Sequence, residues 1–160
     1  MSLRYIFLLN VLLALLWPAL QQRLTAGEVL IGFLVGFLVL AAINHDYGRR
    51  LLAIVGFTLF LLWSILVSSI QVARYILARR LLLDQGIIAI PLTVEGPLEV
   101  ALLATAITLT PGTLSVDVGV DAQGRRVLFV HDLVVHDPDA VRKSIKDDFE
   151  ARILRITRGG

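Results

Sequence analysis

The sequence predicts a membrane-embedded helical region of three transmembrane helices, the first two forming a tight hairpin, followed by a small α+β domain of order β-α-β-β-α. Composition is the first observation behind this reading: 57% of the 160 residues are hydrophobic and only 18% charged, too apolar for an ordinary soluble domain. The second is the uncharged run from Leu51 to Ala73, closed by Arg74, Tyr75, Arg79 and Arg80. At about 1.5 Å of rise per residue, such a helix covers the ~30 Å hydrocarbon core of a bilayer. The third is a change of pattern at Gly86, where long apolar runs give way to short β-branched segments and turn residues. The boundaries that follow are a membrane region over 1–80, with helices near 4–20, 26–43 and 51–77, and a domain over 86–158.

Charge is divided in the same way. The first 85 residues hold seven arginines against Glu28, Asp46 and Asp84, whereas the remainder holds eight basic against ten acidic groups. The arginines sit at helix ends and are not interleaved with aromatics along a stripe, so they mark membrane flanks and exclude a nucleic-acid footprint. Cysteine is absent, which excludes a disulfide framework, a thiolate nucleophile and a cysteine metal site.

The first segment, about Tyr5 to Leu20, is apolar except for Asn10. It leads into Trp17-Pro18 and lacks a small-x-small cleavage pattern, so a retained helix is predicted. Asn10 is costly against lipid and is read as a hydrogen-bonding helix-packing residue. The link from Gln21 to Thr25 forces an antiparallel hairpin, with Thr25 as N-cap and Glu28 completing a capping box at the positive end of the helix dipole. A titrating, proton-carrying Glu28 is the competing reading, and the position at a helix start favours the cap. In the second segment Gly32 and Gly36 lie four apart on one face, where a second backbone can approach closely. The turn from Asn44 to Arg50 then precedes the long third helix. No span carries a charge near its middle, which argues against an autonomous ion transporter. The arginines that close the third span favour a cytoplasmic C-terminal half.

In the domain, Ile87 to Val94, interrupted by Pro91, reads as an edge or bulged strand. Gly96-Pro97 opens a helix to about Leu109, with Leu98, Leu102, Thr105 and Leu109 near one face. It is too short to span and is predicted to be buried or membrane-grazing. Pro111-Gly112 is a turn, after which Thr113 to Val120 alternates with Leu114, Val116, Val118 and Val120 on one face. Asp121 to Gly124 turns the chain into a central strand over 126–135. Asp137-Pro138 caps a last helix with Val141, Ile145, Phe149, Ile153 and Ile156 at helical spacing, and Asp139 with Lys143 and Asp148 with Arg152 as i,i+4 ion pairs. His131-Asp132 and His136-Asp137 are an odd number of residues apart on a strand and point to opposite faces, so no metal site is predicted. Neither a catalytic constellation nor a cofactor-binding loop is present, so the chain is read as no enzyme and as binding no cofactor.

The stretch from Leu102 to Asp117, with Thr110-Pro111-Gly112-Thr113 at its centre and Leu128-Phe129-Val130-His131 downstream, resembles the signature of the E subunit of the Mrp (Mnh/Pha) multisubunit sodium/proton antiporters. Asn10, Leu12, Leu13, Ala14 and Trp17, the glycines at 32 and 36, Ser68-Ser69-Ile70 with Val72, and Ile90-Pro91-Leu92 agree with it; Thr105 departs, standing where an asparagine is expected. The resemblance implies an accessory, non-catalytic subunit in a prokaryotic plasma membrane, whose partners are the larger ion-carrying subunits and the lipid bilayer. The complex would export Na+, or in some relatives K+, against protons. Thr110, Pro111, Gly112 and Thr113 then form a structural or interface turn. The competing reading is a free-standing, membrane-anchored binding or sensing domain.

Overall fold

A computed structural model describes residues 3–78, 84–135 and 137–158. Arg79, Arg80 and His136, which entered the topology and metal readings, lie outside the described residues. Among the described residues three helices are long and apolar enough to cross a membrane: α1 (Leu3–Leu20), α2 (Ala26–Ile43) and α3 (His45–Leu77). They are followed by β1 (Gly86–Pro91), α4 (Pro97–Leu109), β2 (Thr113–Val120), β3 (Arg126–Asp132), α5 (Pro138–Ser144), a π-helical segment (Ile145–Glu150) and α6 (Ala151–Arg158). The chain divides into two compact units, the first running to Ala53 and the second from Ile54 to Arg158.

The first unit is the α1–α2 hairpin with the start of α3. Thr25 caps α2, its hydroxyl accepting the Glu28 N–H at 3.3 Å. Only half of the expected capping box forms, because the Glu28 carboxylate turns away from its own helix and accepts the Trp17 indole N–H at 3.0 Å. The turn expected over 44–50 is also shorter than predicted. Asn44 alone breaks the helix: its Oδ1 accepts the Tyr47 N–H at 3.1 Å, which starts α3 at His45. Asp46 in that first turn suits the helix dipole and pairs with Arg49 at 2.6 Å. Ile6, Leu40 and Tyr47 form the small core, flanked by Leu9, Leu13, Phe37 and Leu51.

The second unit is built on a three-stranded antiparallel sheet of order β1-β3-β2. β3 is central, as its apolar character on both faces predicts, but it ends at Asp132 and not at 135. There the ladder stops and the Leu133 N–H turns to the Gly112 carbonyl at 2.9 Å. β1 is an edge strand that ends at Pro91, which has no N–H to give to a ladder. β2 departs from the strict alternation read in the sequence. A bulge between Ser115 and Asp117 leaves Val116 unpaired, so Leu114 lies opposite His131 while Val118 lies opposite Leu128, positions an odd number apart on β3 that face opposite ways. The predicted single apolar face is therefore split. The bulge also blunts the free edge, where Thr108 Oγ1 accepts the Ser115 N–H and Asp117 Oδ1 the Val118 N–H.

One core joins these layers: Ile88 and Ile90 of β1, Leu128 and Val130 of β3, Val100, Leu103, Ala106 and Ile107 of α4, and Ile145, Phe149 and Ile153 of the last helical stretch. Phe57, Phe60 and Leu61 of α3 pack against it.

Candidate functional site

The residues singled out for packing fall together in the hairpin. A Cβ built on Gly32 would stand 2.7 Å from Trp17 Cβ and 2.9 Å from the Ala14 carbonyl, and one on Gly36 would collide with Asn10 Oδ1. The two glycines are therefore spent inside the hairpin, where α1 crosses α2. Asn10 is fully buried and its amide donates to the Tyr47 hydroxyl at 2.8 Å, tying α1 to the start of α3. Its Oδ1 has no hydrogen-bond partner and faces Gly36, where only a glycine leaves it room.

The turn from Thr110 to Thr113 joins α4 to β2. Thr110 Oγ1 donates back to the Ala106 carbonyl at 3.0 Å, and Thr113 Oγ1 lies 2.7 Å from the Ile107 carbonyl and 2.9 Å from that of Thr110. The Ala106 carbonyl is one that a helix end leaves without its usual partner, while those of Ile107 and Thr110 also accept the Thr110 and Thr113 N–H groups. Gly112 takes φ +97°, open to glycine but strained for other residues, and a Cβ there would meet Val72 of α3 at 3.4 Å. Pro111 precedes it at the tip.

The turn also lines two neighbouring cavities, of about 400 Å³ and 280 Å³, that share Ser68, Gln71, Thr110, Thr113 and Asp132. The larger is closed by Phe60, Ser64 and Val67 of α3 and by Ser144, Asp148 and Phe149. The sequence reading missed this convergence. Its local signal was the recurrence of Ser64, Ser68 and Gln71 at helical spacing along a largely apolar run.

The π-helical segment on the far wall explains why the expected pair of Asp148 with Arg152 does not form. Widening the helix over Ile145–Glu150 moves Asp148 out of i,i+4 register with Arg152. Asp148 instead accepts the Ser144 hydroxyl at 3.2 Å, and the Arg152 guanidinium lies 4.3 Å over the Phe60 ring. Asp139 pairs with Arg142 at 2.6 Å and not with Lys143. The same segment buries Glu150, whose Oε1 accepts the backbone N–H groups of Thr93 and Val94 at 2.5 and 2.8 Å. Glu99, at the start of α4, collects the Glu95 and Gly96 N–H groups on one oxygen together with Arg158 Nη2, and Thr157 and Arg158 Nε on the other. Arg158, then Thr157 and the Gly96 N–H, hold its carboxyl far below the ordinary 4.5.

His131 lies on β3, half-buried, and among the described residues no three His, Cys, Asp or Glu side chains are grouped to hold a metal ion. Fold and site together define a multi-span membrane protein whose polar residues brace helices and turns, with a small α+β domain joined to its third span. Residues 10–156 match the family model described as the Na+/H+ ion antiporter subunit. The E subunit of the Na(+)/H(+) antiporter of Alkalihalophilus pseudofirmus is 31% identical over 156 residues, covering 94% of this chain and 97% of that one. The E subunit of a probable K(+)/H(+) antiporter of Rhizobium meliloti is 31% identical over 144 residues, covering 86% and 88%. Among solved structures, a chain of the Mrp complex from Dietzia sp. aligns with a TM-score of 0.50 at 31% identity, covering 66% of this chain and 96% of that one. A chain of an archaeal membrane-bound sulfane sulfur reductase shares the fold, with a TM-score of 0.53 at 22% identity, covering 94% and 98%. The chain belongs to the E-subunit family of these antiporters.

Proposed function

We infer that this chain is the accessory, non-catalytic E subunit of a multisubunit monovalent cation/proton antiporter, embedded in a prokaryotic plasma membrane. Its role is to support assembly of a complex that exports Na+ or K+ in exchange for protons. The observation that carries this reading is the family match along nearly the whole chain, including both the spans and the α+β domain. The described spans agree with an accessory role: their charged side chains lie at helix ends and none at mid-membrane, where a group on an ion path would stand.

Within that role the chain divides into a membrane region over 1–80 and a domain over 86–158, the domain facing the cytoplasm. The arginines after the third span support that orientation. Gly32, Gly36 and Asn10 set the hairpin, and the turn from Thr110 to Thr113 fixes the junction of α4 and β2 for contact with other subunits. The hydrogen bond from Trp17 supports Glu28 as a clip across the hairpin in preference to a titrating group.

The test is recovery of the tagged chain from mild-detergent membranes with mass spectrometry of its companions. Large multi-span antiporter subunits in fixed stoichiometry are the expected result. A chain that comes down alone from membranes containing those subunits would sink the reading.

A further inference from the structure

The helix α4 is two-sided in an unusual way. Val100, Leu103, Ala106 and Ile107 face the core, as on any amphipathic helix. The opposite stripe of Leu98, Ala101, Leu102, Thr105, Thr108 and Leu109 is exposed and carries no charge. Leu98 is 67% exposed, Leu109 52% and Leu102 36%. From Pro97 to Val116 the only charged residue is Glu99, and it is folded inward onto Thr157 and Arg158. A helix facing bulk water would set lysines and glutamates on such a stripe.

The position of α4 explains the stripe. Its core is shared with Phe57, Phe60 and Leu61 of α3, and these three lie within the uncharged run from Leu51 to Ala73 that crosses the bilayer. A core packed alongside that run stands at membrane depth. Phe57, Phe60 and Leu61 stand near the middle of that run, so the elements packed against them lie beside acyl chains. The 13 residues of α4 are too few to span.

We propose that α4 is a membrane-immersed helix whose Leu98–Leu102–Leu109 stripe lies against acyl chains, so that its occupant is phospholipid. The stripe offers a protein partner no aromatic or arginine anchor of the kind that dominates subunit interfaces. For lipid tails a smooth row of leucines is sufficient.

The absence of cysteine makes the test direct. Leu98→Cys, Leu102→Cys and Leu109→Cys, with Arg125→Cys and Lys143→Cys as water-facing controls, are spin-labelled in the full chain. The labelled chain is measured in phosphatidylglycerol/phosphatidylethanolamine nanodiscs, alone and within the assembled complex. Collision with molecular oxygen is expected to exceed collision with a water-soluble nickel chelate several-fold at the three leucine positions, and the order to reverse at the controls, in both preparations. Nickel access at the leucines equal to that at the controls would overturn the proposal. So would loss of oxygen access in the complex alone, which would assign the stripe to another subunit.

Discussion

Glycines test the hairpin most directly, because space and not chemistry is what they supply. Gly32→Ala forces a Cβ against Trp17 and the Ala14 carbonyl, and overpacking of this kind costs about 1–3 kcal/mol. The expected readout is a lower melting temperature of the detergent-solubilised chain. Gly56→Ala is the control: nothing lies within 4 Å of its Cβ, so stability should hold or rise by up to ~1 kcal/mol from better helix propensity. Glu99 supplies a test by pH. Its folded-state pKa is depressed, so its contribution is fully present above the ordinary value of 4.5 and is lost as pH falls below that value toward the folded one. Thermal unfolding followed from pH 7 to pH 3 should therefore fall more steeply for the native chain than for Glu99→Gln. Equal slopes would mean that the clamp to Arg158 contributes nothing measurable.

The long helices were legible because hydropathy is a sum over many residues, and no single one decides it. The third span announced itself in 23 uncharged positions, and its start at His45 was missed only because Asn44 caps α3 after a single-residue break. Shorter elements depend on one residue at a time. The bulge at Val116 leaves no mark on an alternating sequence, yet it turns Val118 to the opposite face from Leu114. The π-helical segment is equally silent: Ile145, Phe149 and Ile153 keep helical spacing and all are buried, while the Asp148–Arg152 pair read from the same spacing is displaced. The two cavities were beyond reach for a different reason, since Ser68, Thr113 and Asp132 are separated in the chain and meet only through the fold. Two substitutions probe these elements. Glu150→Ala strips the carboxylate from the buried Val94 N–H and the part-buried Thr93 N–H and should cost about 1–3 kcal/mol in a denaturant melt. Gly112→Ala combines a positive φ with contact to Val72, so it should cost more than Gly124→Ala, whose φ is +78° but whose surroundings are open.

For the chain as a unit, the orientation of the domain is the leading expectation. A fluorescent-protein reporter fused after the last helix should light up and a phosphatase reporter should stay inactive, because the former folds on the cytoplasmic side and the latter on the other. The reverse pattern would place the domain outside and leave the arginine cluster without meaning as a topology signal. The bond between Glu99 and Arg158 bears, finally, on the order of synthesis. Its partners are 59 positions apart, and Arg158 is in the final turn of α6. Until Arg158 has been made, the start of α4 has no guanidinium to close it, and its Glu99 keeps only the Glu95 and Gly96 N–H groups and the Thr157 hydroxyl. The domain therefore locks late, after the spans have been handed to the membrane.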